Sequence, residues 1–153
     1  MKNLADNLAL IAVTLWVGSL WAIGYLAAPV LFSALSDKML AGMLAGRMFG
    51  LIAYIGMGSG LYLLLHRFSR YGGSTLKQGF FWVVFFMLLL AAAGHFGIQP
   101  VLEALKEQAF PKDVMQSMFK DRFAAWHGIS SIVYLIESLL GLALVTMQKS
   151  GLR

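Results

Sequence analysis

Long apolar stretches alternate with short polar ones along the chain, and four of the apolar stretches are long enough to cross a bilayer. The hydrocarbon core of a membrane is about 30 Å thick, so a transmembrane helix requires roughly 20 residues. The four stretches cover residues 8–32, 48–65, 80–98 and 123–147. This pattern predicts a single all-α membrane domain over residues 1–153, a bundle of four transmembrane helices.

The segment between the third and fourth stretches, residues 101–123, carries too many charges to span a membrane. Its apolar residues nevertheless recur at the three- to four-residue spacing of an amphipathic helix on both sides of Pro111. Helices of this kind lie in the membrane surface with their apolar face against lipid. We therefore expect one or two amphipathic helices on the surface between the third and fourth spans.

Prolines and capping residues predict where the helices bend, end and begin. Proline cannot donate a backbone hydrogen bond, so Pro29 is expected to kink or end the first helix. Pro100 is likewise expected to bend or end the third helix. Ser36 or Asp37 precedes the second helix and has the side chain of a helix N-cap.

A glycine face runs along the second helix, where Gly42, Gly46 and Gly50 follow one another at intervals of four residues. Small residues at this spacing let two helices approach closely in a membrane. The repeat predicts tight packing against another helix. That helix belongs either to this chain or to an assembly partner, which is a second copy or another membrane protein.

The fourth stretch carries a polar stripe. At 100° per residue, one face of this helix collects His127, Ser131, Tyr134, Ser138 and Gly141, with Glu137 on its flank. Ile, Leu and Val occupy the opposite face, as contact with lipid requires. The stripe predicts a polar seam that faces the interior of the bundle.

Glu137 lies ten residues after His127, about 15 Å deeper and near mid-membrane. A charged carboxylate at that depth is costly, so we expect a protonated side chain with a partner such as Tyr54. A series of groups from His127 through Ser131 and Tyr134 to Glu137 suits a proton or ion relay. The alternative is a neutral carboxyl group hydrogen-bonded within the bundle. The spans contain no second acid to continue a relay, which counts against a pump.

Two histidines lie about 5 Å inside the same face of the membrane, His95 near the end of the third span and His127 near the start of the fourth. Helices joined by one connection are expected to be neighbours, with axes about 8–10 Å apart. Imidazole suits copper, zinc and iron, and paired histidines hold haem. The pair therefore predicts a metal or haem site with Gln99, one turn from His95, as an auxiliary group. Alternatively, both histidines hydrogen-bond neighbouring helices.

The composition supports a membrane location and excludes several kinds of site. The 153 residues are 59% hydrophobic and 12% charged, about half the charged fraction of a soluble domain. The absence of cysteine excludes disulfides and thiolate chemistry. The net charge is +5, but the basic residues cluster between the spans, which favours lipid headgroups over nucleic acid as their partner.

The basic residues bear on topology, because cytoplasmic loops carry an excess of Lys and Arg. Four spans place both termini and the middle loop on one side, which has Lys2, Arg67, Arg70, Lys77, Lys149 and Arg153. The other side has Lys38, Arg47, Lys106, Lys112, Lys120 and Arg122, so the counts are equal. The middle loop, however, is purely basic. We therefore expect cytoplasmic termini in a bacterial-type inner membrane.

Four stretches carry a resemblance to known proteins: LWVGSLWAIGYLAAPVLF, AGMLAGRMFG, GIQPVLEAL and FAAWHGISSIVYLIESLLGLALV. They resemble a family of small four-span membrane proteins known as a domain of unknown function, which includes animal transmembrane proteins. The positions concerned are Gly18, Gly24, Tyr25, Pro29, Gly42, Gly46, Pro100, His127, Gly128 and Ser130. The resemblance implies a four-helix membrane protein without an established activity. More distantly, the chain is similar to the copper resistance protein D group and to haem-linked protoporphyrinogen oxidase membrane proteins.

These observations leave three functional hypotheses. The first is a non-enzymatic inner-membrane protein that binds copper or haem at an outward-facing site near His95 and His127. The second is a structural or assembly protein without a cofactor, in which the glycine face contacts its partner. The third is a haem-dependent membrane oxidoreductase with the same two histidines as ligands. We assign no catalytic residue.

Overall fold

The structure, a computed structural model, describes residues 2–148, with side chains from residue 4 onward. Lys149 and Arg153, which enter the charge comparison above, lie outside the described residues, as does the side chain of Lys2. The described part forms six α-helices: α1 (Lys2–Ala22), α2 (Ala28–Ala34), α3 (Lys38–Tyr71), α4 (Gly79–Ala93), α5 (Gln99–Ala109) and α6 (Lys120–Gln148). Two π-turns, Ile23–Ala27 and Gly94–Ile98, join α1 to α2 and α4 to α5. Short 3-10 helices lie at Gly72–Lys77 and Val114–Gln116.

The helices combine into four membrane spans, which confirms the predicted all-α bundle. Each of the four segments Leu4–Ala34, Lys38–Lys77, Gly79–Ala109 and Lys120–Gln148 is long and apolar enough to cross a bilayer. Large apolar side chains stay exposed along all four segments. An apolar exterior is what a bundle surrounded by lipid requires, since lipid tails replace water around it.

The helices continue beyond both prolines. A π-turn precedes each proline at the same spacing, Ile23–Ala27 before Pro29 and Gly94–Ile98 before Pro100. In each case the residue before the proline donates its backbone N–H to the carbonyl five residues earlier. The wider turn makes room for the proline ring, which would otherwise clash with the carbonyl four residues before it.

Neither proline ends its helix: α2 carries the first span past Pro29 to Ala34, and α5 carries the third span past Pro100 to Ala109. The amphipathic segment is present, but its first half extends the third span instead of forming a separate surface helix. The second half is a loop with one 3-10 turn, Val114–Gln116, whose start is capped by Asp113. A small apolar cluster holds this loop against the bundle through Leu105, Ala109, Val114, Phe119, Phe123 and Trp126.

The start of the second span agrees with the predicted N-cap. The Asp37 carboxylate accepts hydrogen bonds from the backbone N–H groups of Met39 and Leu40, at 2.9 and 3.0 Å. Lys38 beside it donates to two carbonyls at the end of the first span, those of Phe32 and Leu35. These bonds close the tight connection between α2 and α3.

The centre of the bundle is built around Trp16, whose side chain is fully buried. Its indole lies against Gly56 and Gly60 of α3, and a Cβ atom on Gly56 would overlap the ring. In the same way Val17 packs against Gly141 of α6. Buried apolar side chains from all four spans complete this core: Val13, Leu20, Ile52, Leu63, Val84, Met87, Ala91 and Leu144.

We expect Gly56→Ala to destabilise the bundle by about 1–3 kcal/mol, because the added methyl overpacks the indole pocket. Gly58→Ala is the matched control, since nothing lies within 4 Å of the position of its Cβ atom. Alanine is the better helix former, so the control is neutral or stabilising by up to about 1 kcal/mol. The measurement is SDS-induced unfolding in mixed micelles, followed by far-UV circular dichroism. Equal midpoints for the two variants would contradict the central role of this pocket.

Candidate functional site

Glu137 lies in the core of the bundle, where only 6% of its surface is exposed. Its carboxyl oxygen Oε1 accepts a hydrogen bond of 3.3 Å from the indole Nε1 of Trp16. The neighbouring Ser138 is also buried, and its hydroxyl donates to the carbonyl of Tyr134 in its own helix. The one acid in the middle of the bundle is therefore hydrogen-bonded across two spans, from α6 to α1.

Tyr134 joins the same two spans one turn away. Its hydroxyl donates to the backbone carbonyl of Leu20, and its ring lies against Gly24 in the first π-turn. A Cβ atom on Gly24 would overlap this ring. The edge of the ring also meets Phe49 of α3, with 5.2 Å between the ring centroids. Tyr134 thus uses its polar end to bind α1 and its apolar ring to pack within the core.

The N-terminal part of the polar stripe, His127 and Ser131, does not face this core. His127 and Ser131 are exposed, and the Ser131 hydroxyl donates to the carbonyl of His127 in its own helix. The inward positions at this level belong instead to Phe123 and Trp126, which pack on the apolar cluster next to α5. The expected series of groups from His127 to Glu137 is therefore not connected in the structure.

Tyr54, expected as a buried partner of Glu137, is 60% exposed and lies elsewhere. Its ring meets the imidazole of His95 edge to face, with 4.6 Å between the centroids. The actual partner of Glu137 is Trp16, which was not among the partners expected from the sequence. An indole side chain has one N–H donor and no acceptor, so a buried Trp needs an acceptor from another residue. A Trp in the middle of one span and an acid in the middle of another are the sequence signal for this pair.

The glycine face of α3 is occupied by polar side chains of the same chain. We call these side chains the polar ridge: His95 from the π-turn, and Gln99, Glu103 and Lys106 from α5. Gln99 Nε2 donates to the carbonyl of Gly46 at 3.0 Å, and Lys106 Nζ to that of Gly42 at 3.4 Å. The third glycine, Gly50, lies next to Gln99 and His95. Glycine carbonyls can accept these bonds because no side chain covers them.

Gln99 also orients His95. Its amide oxygen lies 3.3 Å from the His95 Nδ1 atom, and its amide nitrogen donates to the Gly46 carbonyl, which can only accept. The amide oxygen therefore faces the imidazole and requires a proton on Nδ1. In the neutral imidazole with this tautomer, the other ring nitrogen, Nε2, carries the lone pair with which histidine binds a metal.

The two expected ligands have different neighbours. His95 lies between Tyr54 and Phe96, whereas the imidazole of His127 stacks on Phe123 with 5.7 Å between the centroids. The π-turn that carries His95 does contact α6. In the described part of the chain, no group of three or more His, Asp or Glu side chains could hold a metal ion.

A second polar cluster, which the sequence analysis did not identify as a site, lies at the opposite end of the bundle. There Asp6 of α1 forms an ion pair with Arg70 of α3, and its carboxylate lies 3.2 Å from Nε2 of His66 in the same helix. The sequence analysis used Arg70 only to assign topology. The missed signal is an acid at the start of the first span, on the same side as a purely basic loop.

The chain matches the family described as Domain of unknown function (DUF4149) over residues 11–111. It belongs to this family. The matched part includes Trp16, the glycine face of α3 and the polar ridge up to Lys106, whereas Glu137 and Tyr134 follow it. No curated protein and no solved structure matches the chain. The description of the family names no activity.

Substitutions of Glu137 test whether its hydrogen bond or its charge matters to the fold. Glu137→Gln keeps an oxygen acceptor for Trp16, so we expect a loss of stability below about 1 kcal/mol. Glu137→Leu leaves the buried indole N–H without a partner and is expected to cost about 1–3 kcal/mol. SDS-induced unfolding measures both. If Gln proves as damaging as Leu, the carboxyl group has a role that an amide cannot fill.

Proposed function

We propose that the protein is a non-catalytic structural component of the membrane, which acts through contacts of its outer surface with lipid and with other membrane proteins. The observation that carries this proposal is that the Trp16 indole fills the centre of the bundle. It packs against Gly56 and Gly60 and donates a hydrogen bond to Glu137. An internal substrate or ion site would need that space.

The hydrogen bonding of the polar groups supports the same proposal. In residues 4–148, every fully buried side-chain nitrogen or oxygen has a hydrogen-bond partner. The glycine face, the surface expected for assembly, has Gln99 and Lys106 of this chain on it. An assembly contact with a second copy or another membrane protein therefore uses a different, apolar part of the surface.

A second candidate function is the binding of copper or haem, and the orientation of His95 by Gln99 favours it. An imidazole fixed through Nδ1 presents Nε2 as a ligand, which is the usual arrangement around protein-bound metals. His127 on the contacting helix would supply the second ligand, as the distant similarity to the copper resistance protein D group suggests. Haem at the same histidines would be the basis of an oxidoreductase.

An absorption spectrum with metal analysis of detergent-purified protein, expressed with haem and copper in supply, separates the two candidates. The structural proposal expects a colourless protein with far less than one metal ion per chain. A Soret band, or stoichiometric copper, would overturn it. The second candidate also requires that His95→Ala or His127→Ala removes the signal. His66→Ala should leave the signal intact, since His66 lies at the opposite end of the bundle.

We further propose that both chain ends face the cytoplasm of a cell with a bacterial-type inner membrane. Asp6 near one end of the described chain and Gln148 at its other end line the same cleft as Arg67 and Arg70. The two ends of the described part and the purely basic middle loop are therefore on the same side, and such loops favour the cytoplasmic side.

Reporter fusions measure this topology. A fluorescent protein fused after Arg153 is expected to fluoresce, because it folds in the cytoplasm. Alkaline phosphatase inserted between Lys112 and Asp113 is expected to be active, because that loop would lie on the outer side. The control fusions exchange the two reporters, with alkaline phosphatase after Arg153 and the fluorescent protein between Lys112 and Asp113. Activity only in these exchanged fusions would reverse the proposed orientation.

A further inference from the structure

A cavity of about 130 Å³ opens at the end of the bundle that holds both ends of the described chain. We call it the basic cleft. Side chains from α1, α3, α4 and α6 line it, and those that carry the argument are Asp6, His66, Arg67, Arg70, Tyr71 and Phe80. It is distinct from the polar ridge, which lies at the opposite end of α3.

Arg67 lies in the wall of the cleft next to two aromatic rings. Its guanidinium group stacks over the ring of Phe80 at 4.1 Å from the centroid, and it lies 5.5 Å from that of Tyr71. Within residues 4–148, its side chain makes a single hydrogen bond, a long one of 3.4 Å to Gln78. Stacking fixes the plane of the guanidinium while its N–H groups stay available at the edge.

The remaining charged groups leave the cleft with an excess of positive charge. Asp6 is ion-paired with Arg70 and with His66, whose imidazole also stacks on Tyr62. Asp6 is the one carboxylate among the residues that line the cleft, against two guanidinium groups and an imidazole. Asp6 pairs with Arg70 and His66 and not with Arg67, so the charge of Arg67 has no partner acid among the residues that line the cleft.

The surrounding aromatic residues indicate the depth of the cleft in the membrane. Tyr71 lines the cleft, and Trp82 follows the lining residue Phe80 by two positions in α4. Both rings are exposed, and the Trp82 indole donates to the carbonyl of Leu76 in the middle loop. Tyr and Trp concentrate at the level of the lipid headgroups, where one end of the ring is apolar and the other is wet. Lipid phosphates lie at that level.

We propose that the basic cleft binds a phosphate group, with the guanidinium of Arg67 as its principal donor and Arg70 and His66 as secondary ones. A guanidinium fork matches two phosphate oxygens at once, and an arginine that is already oriented loses little freedom on binding. The cavity is large enough for the five heavy atoms of a phosphate. The group comes either from an anionic lipid of the surrounding leaflet or from free phosphate.

Native mass spectrometry of the purified protein, titrated with phosphatidylglycerol, tests this assignment. Dioleoylglycerol, which has acyl chains but no phosphate, is the ligand control. We expect Arg67→Gln to weaken phosphatidylglycerol binding about tenfold, the loss of one charge-assisted contact. Lys77→Gln is the matched protein control, because it removes the same charge at the same end of the bundle but outside the cleft. It should bind like the wild type.

Arg67→Lys keeps the positive charge beside Phe80, so it is the variant least expected to misfold. It therefore separates a loss of binding from a loss of the fold. We expect intermediate binding, because an ammonium group cannot form the two-oxygen contact. Equal binding of phosphatidylglycerol and dioleoylglycerol would overturn the proposal, as would equal losses in Arg67→Gln and Lys77→Gln. Wild-type binding by Arg67→Lys would overturn the fork contact. Competition by millimolar inorganic phosphate would support a site for free phosphate, and lack of competition a lipid headgroup site.

Discussion

The indole of Trp16 imposes the constraint on which the rest of the bundle depends. It lies where α1, α3 and α6 meet, so α3 has to leave space for the ring and α6 has to supply an acceptor for its N–H. Gly56 and Gly60 provide the space, and Glu137 is the acceptor. Lipid tails are as apolar as the core, so close packing and hydrogen bonds between helices hold such a bundle together.

The glycines of α3 therefore serve two purposes at two depths. In the middle of the membrane, Gly56 and Gly60 provide volume for a large side chain from the neighbouring span. Towards the start of the helix, Gly42 and Gly46 instead provide bare carbonyls that accept hydrogen bonds from the polar ridge. Both uses lie within the chain, so a glycine repeat need not indicate an interface between copies.

Hydropathy predicts the four spans because it depends on composition over about 20 residues, which a local irregularity hardly changes. It could not predict that the third span continues past Pro100, since a π-turn upstream absorbs the proline. Helical periodicity placed His127 and Glu137 near one stripe, but it could not show which part faces the core. That depends on neighbours: Phe123 and Trp126 take the inward positions near α5, and His127 is left exposed.

The placement of the polar groups along α3 links the two ends of the molecule to the thickness of the membrane. Gly46, which anchors the polar ridge, and Arg67, in the basic cleft, are 21 residues apart. This separation is about 31 Å along a helix, which is close to the hydrocarbon thickness of a bilayer. Each cluster consequently lies at one face of the membrane, and the Trp16–Glu137 pair lies between them near the centre. Ligands that reach this protein from water or from the headgroup layer therefore meet its polar chemistry at the two ends.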